Sequence, residues 1–407
     1  MPRRATKRGE ARTPLDRDCD VLICGASFAG LAVARELAGT GAEVLVVDRY
    51  EIGERQTSAC GIPTGWLTAL GLEEAHRQTF GELFIHTPHA TARYDLPWTF
   101  STFDYRTLCG LLADQGSFAF ETAKVDGRSA GGDRLASSPV GELGRGDIQT
   151  ILTDRGPIRA PLVVDALGWR RVLAGGEPIQ PPDALLSRGL EVHPFGSGNE
   201  LEVWIDRGYV PAGYGWSFPA GDEVRIGVGS FDPRFHVKEP TNRLATDLNA
   251  GTVRYQGNWI PHALRPATGE GIFFVGDSAG HCLPLTAEGI RTALYFGLAC
   301  GRELARVLAG EQTREQALAR YHRFSASHAM PFRWMLRVQR LIPRIAPRLL
   351  APSLRAMQAK RFVDWSFNHY LGIAHPSFVG AAPATPYFAA SQFSPIPAST
   401  ARGGSSS

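Results

Sequence analysis

Short continuous runs of apolar residues begin near positions 21, 44, 160 and 272 of this 407-residue chain. A run of this kind, without polar alternation, is typical of a strand that is buried on both faces of a parallel sheet. The first run leads into a glycine-rich turn and then into residues 31–38, whose apolar pattern predicts a helix that ends at Gly39. Together with the second run at residues 44–47, these segments predict a β-α-β unit, from which doubly wound α/β folds are built.

The pattern changes between about residues 191 and 231, where short alternating segments carry aromatic side chains. Alternation with a period of two predicts antiparallel strands. Residues 290–308 and most of residues 316–370 have helical spacing instead, with proline interruptions in the second stretch. The predicted fold class is therefore α/β, with a Rossmann-type nucleotide-binding domain, an antiparallel-sheet substrate domain and a C-terminal helical segment.

Domain boundaries follow from these changes of pattern. Both termini lack apolar periodicity and are predicted to be disordered, the first of them as a basic tail. The predicted order is a disordered tail at 1–18, the first part of the nucleotide-binding domain at 19–180, the substrate domain at 181–265, the second part of the nucleotide-binding domain at 266–310, C-terminal helices at 311–380 and a disordered tail at 381–407.

Composition and charge exclude several classes of protein. A net charge of +3 is too small to favour a nucleic-acid partner. The six cysteines form no C-x-x-C pair and no zinc spacing, so we expect no metal site and a reducing compartment. Residues 1–18 lack the apolar stretch of a secretory signal, and no run of eighteen apolar residues occurs in the sequence. We therefore expect a cytoplasmic protein.

The glycine turn after the first strand is the first candidate binding site. It reads Gly25-Ala26-Ser27-Phe28-Ala29-Gly30. Such a turn aims the free N–H groups of the next helix at a pyrophosphate, because Gly25 allows the tight turn and Gly30 lets the helix approach the strand. Ser27 replaces the usual middle glycine and is small enough for the backbone to approach phosphate. Asp48 ends the second strand, where its carboxylate can accept hydrogen bonds from ribose hydroxyls, so the sequence predicts a dinucleotide site.

Further motifs lie in the second half of the chain. Residues 272–280 run from a buried strand into Gly276-Asp277, although an aspartate at a strand end could also cap a helix. The other motifs are Tyr214-Gly215-Trp216-Ser217-Phe218-Pro219, then Gly227-Val228-Gly229, and Thr286-Ala287-Glu288-Gly289-Ile290. With the glycine turn, these motifs resemble those of the geranylgeranyl reductases, flavoproteins with the p-hydroxybenzoate hydroxylase-like fold. The resemblance covers about residues 19–310, and the Trp-x-Phe-Pro element is its most specific part.

The resemblance implies that the dinucleotide is FAD, bound non-covalently. The residues that it places at the cofactor are Gly25, Ser27, Gly30, Asp48, Arg106, Gly276, Asp277 and Gly289. Taken alone, Arg106 could equally be a solvated surface residue. Asp165-Ala166-Leu167-Gly168 departs from the Asp-Gly motif that serves FAD and NADPH in the related hydroxylases. The electron donor could therefore be NAD(P)H or a reduced electron carrier.

The resemblance also implies a catalytic centre and a substrate slot. It places Cys60 near the isoalloxazine as a catalytic residue, although only one glycine follows Cys60 where the family has several. His281 closely follows Gly276-Asp277 and is a second catalytic candidate, as a proton donor. Both side chains could instead be buried in the core. It makes Tyr214, Trp216 and Phe218 the apolar wall of the slot. These three residues alternate and so share one face of a strand, which could also be ordinary sheet core.

By this resemblance we expect an FAD-dependent oxidoreductase that reduces a C=C bond of an isoprenoid or similar apolar substrate by hydride transfer from reduced flavin. A flavin-dependent aromatic or polyketide monooxygenase and a non-catalytic lipid- or quinone-binding flavoprotein remain alternatives. The expected partners are an apolar small molecule and an electron-donor protein, if the donor is a protein. Residues 330–361 carry basic and apolar side chains and no acidic ones. They could bind peripherally to the inner surface of a membrane, or cover the core with a solvated basic face.

Overall fold

The structure, a computed structural model, describes residues 13–56, 58–129, 148–175 and 183–380. The predicted disorder of residues 1–12 and 381–407 concerns parts of the chain outside these ranges. Residues 17 and 18 form a strand, so the prediction of a disordered tail is wrong for them. The physical reason is Arg159, whose guanidinium donates hydrogen bonds to Asp16 and Asp18, each at 2.7 Å.

Strands and helices alternate through the first half of the described chain, and helices dominate its end. The strands are β1 (Arg17–Asp18), β2 (Val21–Cys24), β3 (Val44–Asp48), β4 (Gly61–Pro63), β5 (His76–Thr87), β6 (Ala90–Phe103), β7 (Ala119–Thr122), β8 (Val125–Arg128), β9 (Gln149–Thr153), β10 (Gly156–Ala160), β11 (Leu162–Asp165), β12 (Leu186–Val192), β13 (Glu202–Trp204), β14 (Gly213–Pro219), β15 (Val224–Ser230), β16 (Gln256–Pro261), β17 (Thr268–Gly269) and β18 (Ile272–Phe274). The α-helices are α1 (Phe28–Glu36), α2 (Thr64–Leu70), α3 (Tyr105–Asp114), α4 (Lys238–Asp247), α5 (Ile290–Leu308), α6 (Arg314–Ser327), α7 (Ala329–Leu341), α8 (Pro347–Ala356) and α9 (Lys360–Gly372).

Six strands form a first sheet, here called the nucleotide sheet, in the order β17-β18-β11-β2-β3-β7. The strands from β18 to β7 are parallel, and all four residues of β2 are buried. The apolar runs near residues 21, 44, 160 and 272 all supply strands to this sheet, so the Rossmann-type interpretation is confirmed. Because parallel strands end at one edge of a sheet, the turns that follow β2, β3 and β18 lie close together.

Eight strands form a second sheet, here called the large sheet, in the order β16-β12-β15-β14-β13-β5-β6-β4. The predicted antiparallel segments between about residues 191 and 231 supply the end of β12 and all of β13, β14 and β15, and β16 pairs antiparallel with β12 beyond them. Residues 61–103 supply β4, β5 and β6, so the prediction that residues 19–180 all belong to the nucleotide-binding part is wrong. The long hairpin of β5 and β6 joins the large sheet because β13 pairs in parallel with the edge of β5.

The C-terminal helices connect the two sheets. α6 packs against α5, and the Tyr321 hydroxyl donates a hydrogen bond to the carbonyl of Phe274 in β18 at 3.1 Å. α8 and α9 pack against β6, where the Tyr94 hydroxyl donates to the carbonyl of Leu354 at 2.8 Å. The predicted C-terminal helical segment is confirmed. Among the residues that the structure describes, no helix is both long enough and apolar enough to cross a membrane.

Candidate active site

A cavity of about 2630 Å³ is lined by residues of both sheets and of the C-terminal helices. Ordinary small-molecule sites occupy about 300–1,000 Å³. The cavity begins at the turn after β2 and the end of β3, passes the loop between β18 and α5, and extends along one face of the large sheet to α7 and α9. This volume is large enough for a dinucleotide and a second large molecule together.

The glycine turn has the close contacts that the sequence predicts. Gly25 adopts a φ of 113°, and a Cβ there would lie 2.3 Å from the carbonyl oxygen of Ala166. A Cβ on Gly30 would lie 1.9 Å from the carbonyl oxygen of Gly25. The first turn of α1 lines the cavity, and the Ser27 hydroxyl lies 3.2 Å from that of Tyr105 instead of capping the helix. The N–H groups at the start of α1 are therefore available to a pyrophosphate.

Asp48 lies at the predicted end of β3 and lines the cavity. Its Oδ2 accepts a hydrogen bond from the backbone N–H of Ala26 at 2.9 Å, and its Oδ1 accepts one from that of Tyr50 at 3.0 Å. Burial raises the pKa of this carboxyl, while the two backbone donors act in the opposite direction. The carboxylate is thereby fixed beside the glycine turn, with lone pairs left for the hydroxyls of a ribose.

The Gly276-Asp277 element meets the same region from β18. Gly276 adopts a φ of 61°, and a Cβ there would lie 3.0 Å from the Cβ of Ala29 in α1. Asp277 lines the cavity, and burial raises the pKa of its carboxyl to about 6, against the opposing effect of Arg265. Within the described part of the chain, no group donates a hydrogen bond to this carboxylate. A half-buried acceptor on the cavity wall without a donor fits a ligand with hydroxyl groups, such as the ribityl chain of FAD.

The loop between Cys282 and Gly289 brings the start of α5 to the cavity. Leu285 and Ala287 have positive φ angles of 72° and 52° in this loop. Ala287 therefore occupies a backbone conformation that favours glycine, which is the residue that the related motif has there. Gly289 precedes the first residue of α5, so the positive end of the helix faces the cavity, where it would stabilise negative charge on a reduced flavin.

The two helices at the cofactor end of the cavity are in direct backbone contact. A Cβ on Gly297 of α5 would lie 2.6 Å from the carbonyl oxygen of Ala29 in α1. A Cβ on Gly301 would lie 2.8 Å from the carbonyl oxygen of Val33. This contact was not predicted, although two glycines four residues apart in a helix are a signal of close packing. Arg302 adds an ion pair to Glu36 at 2.7 Å.

Tyr214, Trp216 and Phe218 all line the cavity, as predicted for a substrate slot. They are half-buried, whereas Gly215 and Ser217 between them are buried on the opposite face of β14. On that opposite face, a Cβ on Gly215 would lie 2.7 Å from the Leu244 side chain of α4. The aromatic face is therefore the one that is open to the cavity. The Tyr214 hydroxyl donates a hydrogen bond to the carbonyl of Thr286 at 2.6 Å and so joins this wall to the loop before α5.

Glycines in the neighbouring strands form a floor for the Trp216 indole. A Cβ on Gly227 would lie 2.2 Å from Cζ2 of the indole, and a Cβ on Gly229 would lie 3.4 Å from Cζ3. Gly189 of β12 lies under the far edge of the ring, where a Cβ would be 3.6 Å from Cη2. The Gly-x-Gly part of the motif thus makes room for the ring to lie across the sheet.

A buried polar network continues from Trp216 to the loop before β4. Glu191 has its Oε1 2.9 Å from Nε2 of His193, and Nδ1 of His193 lies 3.8 Å from Glu223. Glu223 pairs with Arg225, and the buried Arg225 guanidinium donates to the carbonyls of Ala59 at 2.8 Å and Phe103 at 3.0 Å. Sequence reasoning missed this network, because its members are far apart in the chain and only strand register brings them together.

The catalytic assignments of Cys60 and His281 are not supported by their positions. Cys60 is fully buried, its Sγ donates to the carbonyl of Ser58 at 3.2 Å, and its side chain is not part of the cavity wall. His281 is also fully buried, stacks on Phe296 at a centroid distance of 3.7 Å and has its Nε2 2.9 Å from the Ser325 hydroxyl. Burial raises the pKa of the Cys60 thiol and lowers that of His281, so neither group is placed to exchange a proton with a substrate.

Arg106 is exposed at the start of α3 and does not line the cavity, so the structure does not bring it to the cofactor residues. Cys282, which the sequence analysis did not assign, does line the cavity, and its Sγ lies where a Cβ on Gly289 would approach within 3.3 Å. Burial raises the pKa of the Cys282 thiol, with a further contribution from Asp277. In the described residues, no cluster of metal ligands occurs.

Comparisons with known proteins agree with this geometry. A family model described as an FAD binding domain matches residues 18–81. Digeranylgeranylglycerophospholipid reductase 3 of Methanosphaera stadtmanae is 25% identical over 346 residues, which cover 77% of this chain and 83% of that protein. Digeranylgeranylglycerophospholipid reductase 2 of Methanopyrus kandleri is 24% identical over 79% of this chain and 86% of its own length.

Solved structures show the same fold. A geranylgeranyl bacteriochlorophyll reductase-like protein from Thermoplasma acidophilum superimposes with a TM-score of 0.73 over 90% of this chain and 98% of its own, at 16% identity. The p-nitrophenol 4-monooxygenase from Pseudomonas putida gives a TM-score of 0.70 over 88% and 99% of the two chains, at 13% identity. The fold, the dinucleotide site and the sequence matches define an FAD-dependent oxidoreductase. Within that class, this chain resembles the geranylgeranyl reductase family over most of its length, as its motifs predicted.

Proposed function

We propose that the protein reduces a carbon–carbon double bond in an isoprenoid or a similar apolar substrate. The observation that carries this proposal is the wall of Tyr214, Trp216 and Phe218, which faces a cavity too large for FAD alone. An elongated apolar molecule can fill the remaining space and lie against the aromatic rings. The similarity to digeranylgeranylglycerophospholipid reductases supports an isoprenoid chain as that molecule.

The chain's own residues would hold and orient the two reactants. The starts of α1 and α5 and the carboxylates of Asp48 and Asp277 would bind FAD, which supplies a hydride when it is bound and reduced. The Tyr214 hydroxyl fixes the aromatic wall against the loop before α5 through Thr286. The Trp216 ring, supported by its glycine floor, would keep the double bond in a dry slot at a fixed distance from the cofactor. Because Cys60 and His281 lie away from the cavity, the proton for the second carbon would come from water or from a group of the cavity wall.

A monooxygenase is the second candidate. The superposition with p-nitrophenol 4-monooxygenase favours it at the level of fold, since both chains are covered almost completely. A shared fold does not determine the reaction, however, and the matches in sequence are with reductases. A flavoprotein that binds a lipid or quinone without converting it is a third candidate, because an apolar cavity serves binding as well as turnover.

One experiment separates the three candidates. Protein with dithionite-reduced FAD is mixed with a geranylgeranyl lipid, once without oxygen and once with it, and the product mass is measured. A gain of two hydrogens in the mixture without oxygen supports the reductase, a gain of one oxygen only in the aerated mixture supports the monooxygenase, and no mass change in either mixture supports the binder. Trp216→Ala should slow the substrate-driven reoxidation of flavin. Trp259→Ala is the matched control, because Trp259 is a half-buried indole of the same sheet that does not line the cavity.

A further inference from the structure

Exposed apolar side chains surround one end of the cavity. Met330, Trp334, Met357, Phe362 and Trp365 are all exposed, and all five also line the cavity; they are here called the apolar rim. Trp334 and Trp365 are 64% and 63% exposed, which is unusual for the largest apolar side chain. A cluster of exposed aromatic and aliphatic groups on a protein surface marks a place where another apolar phase or molecule binds.

The surface around the apolar rim is strongly basic. The exposed basic residues of α7, α8, α9 and their connections are Arg333, Arg337, Arg340, Arg344, Arg348, Arg355, Lys360 and Arg361. The sequence contains no aspartate or glutamate from residue 316 to residue 363. Arg333 and Arg337 line the cavity together with the apolar rim, so positive charge and apolar surface meet at the same opening. Lys360 also lines it, but pairs with Asp364 at 3.0 Å.

The inner face of this helical segment is already occupied. Leu350, Leu354 and Val363 pack into a cluster with Ala92 and Tyr94 of β6. The segment therefore does cover the large sheet, which was one of the two interpretations of its sequence. Covering the sheet does not account for the opposite side, where indole rings point outward beside arginines. Tryptophan and arginine in this combination are typical of a surface that sits at the interface between lipid and water.

We propose that the apolar rim and its basic surroundings bind to an anionic lipid bilayer, with the cavity opening towards the lipid. The rim would enter the interfacial region, while the seven exposed arginines would contact anionic head groups. An apolar substrate could then pass from the bilayer into the cavity without crossing water. This entry route rests on the proposed function, whereas bilayer binding itself does not depend on it.

Binding is tested on the FAD-loaded full chain by co-sedimentation with vesicles and without substrate. Vesicles of phosphatidylcholine are compared with vesicles that also contain phosphatidylglycerol, at low and at high salt. We expect sedimentation with the anionic vesicles, and a decrease at high salt, because salt screens charges beyond about 8–10 Å near physiological ionic strength. Absence of sedimentation at low salt, or equal binding to both kinds of vesicle at all salt concentrations, would overturn the proposal.

Variants separate the two parts of the surface. Trp334→Ala combined with Trp365→Ala should weaken vesicle binding at least tenfold at every salt concentration. Arg333→Gln combined with Arg337→Gln should reduce the dependence on anionic lipid and on salt. Phe195→Ala and Arg234→Gln are the controls, because both side chains are highly exposed but do not line the cavity. If the controls weaken binding as much as the rim variants, the surface has been assigned wrongly.

Two further measurements distinguish other occupants of the surface. Sedimentation velocity shows whether a second copy of the chain covers the rim; a stable dimer that the tryptophan variants disrupt would overturn the proposal.

Turnover is then compared for substrate in anionic vesicles and in detergent micelles. If the proposed reduction is correct, the tryptophan variants should lose at least tenfold more activity with vesicles than with micelles. Vesicle binding without any reduction would contradict the proposed function and leave the membrane surface in place.

Discussion

The indole Nε1 of Trp216 donates a hydrogen bond to Oε2 of Glu191 at 3.2 Å, and this bond fixes the ring over Gly227. Loss of a hydrogen bond to a charged group costs about 1.5–3 kcal/mol, and 1.4 kcal/mol corresponds to about tenfold in a rate or equilibrium constant. Glu191→Leu and Trp216→Phe should therefore each lower kcat/KM for the apolar substrate by about tenfold. The measurement is the substrate-driven reoxidation of reduced flavin in a stopped-flow experiment.

The double variant decides whether Glu191 acts through Trp216. If it does, Glu191→Leu with Trp216→Phe should be no slower than the slower single variant, because both changes remove the same bond. Glu191→Gln keeps an acceptor oxygen and should retain most of the activity. Strictly additive effects of the two single changes would show that Glu191 has a separate role.

FAD binding should depend on the absence of a side chain at position 30. Gly30→Val places a branched side chain where a Cβ alone would be 1.9 Å from the carbonyl oxygen of Gly25, so the turn can no longer hold a pyrophosphate. We expect the purified variant to lack flavin absorbance. Gly110→Ala is the control, because a Cβ at this helical glycine meets nothing within 4 Å. A Gly30→Val protein with full flavin content and a normal circular dichroism spectrum would falsify the assignment of this turn.

The ion pair of Arg291 and Glu288 should matter strongly for stability. Arg291 is fully buried, donates two hydrogen bonds to Glu288 at 2.7 and 2.8 Å, and also binds the carbonyls of Leu371 and Ala374 at the end of α9. Arg291→Leu leaves the largely buried Glu288 without a charged partner, although the Tyr370 hydroxyl still donates to it, and breaking a buried ion pair typically costs about 3–5 kcal/mol of unfolding free energy. Urea unfolding of the apoprotein measures this loss.

The control for this pair lies in the same helix. Arg306 pairs with Glu311 at a site where the glutamate is more than half exposed, so Arg306→Leu should change the unfolding free energy by no more than about 1 kcal/mol. Replacing both Arg291 and Glu288 with leucine should cost less than the Arg291 change alone, since no buried charge is then left unpaired. Equal losses for the Arg291 and Arg306 variants would contradict the importance of the buried pair.

FAD affinity should fall below about pH 6 because of Asp277. Burial raises the pKa of this carboxyl from 3.8 to about 6 in the folded protein. As the pH rises from 3.8 to about 6, the carboxyl therefore ionises more readily in the unfolded chain, and the folded apoprotein loses stability. A ligand hydroxyl that donates to the carboxylate favours its ionised form. FAD should therefore bind tightly above pH 6 and progressively more weakly as the carboxyl is protonated. Fluorescence titration of the apoprotein with FAD at several pH values measures this, and Asp277→Asn should remove that part of the pH dependence.

The predicted site residues that the structure brings to the cavity or to the glycine turn belong to local motifs. The glycine turn, Asp48 and Gly276-Asp277 depend on a strand followed closely by a turn or helix, and short-range spacing is enough to place them. The alternation of Tyr214, Trp216 and Phe218 likewise fixes a shared face, although only the packing of Gly215 against α4 shows which face opens to the cavity.

The predicted site residues that the structure does not bring to the cavity are side chains whose direction depends on tertiary structure. Cys60 has a φ of 52°, so it belongs to a left-handed turn that directs its side chain into the core while its neighbours line the cavity. Gly280, with a φ of 67°, reverses the chain just before His281, and the imidazole packs on α5 instead of facing the cofactor. The hairpin of β5 and β6 was missed for a related reason, since its partner β13 lies more than a hundred residues further along the chain.

The contact between α1 and α5 also fixes the distance between the N-termini of the two helices. Gly297 lies beside Ala29 in the first turn of α1, yet it is seven residues from the start of α5 at Ile290. The two helices run in the same direction, because Gly301 meets Val33 four residues further along both. With a rise of 1.5 Å per residue, α5 begins roughly 10 Å beyond the start of α1. The N-termini of α1 and α5, which both attract negative charge, are therefore held at a fixed distance from each other. Only a ligand long enough to contact both N-termini can bind to them at the same time. Riboflavin, which lacks the phosphates, cannot occupy the α1 end and would reach only one of the two.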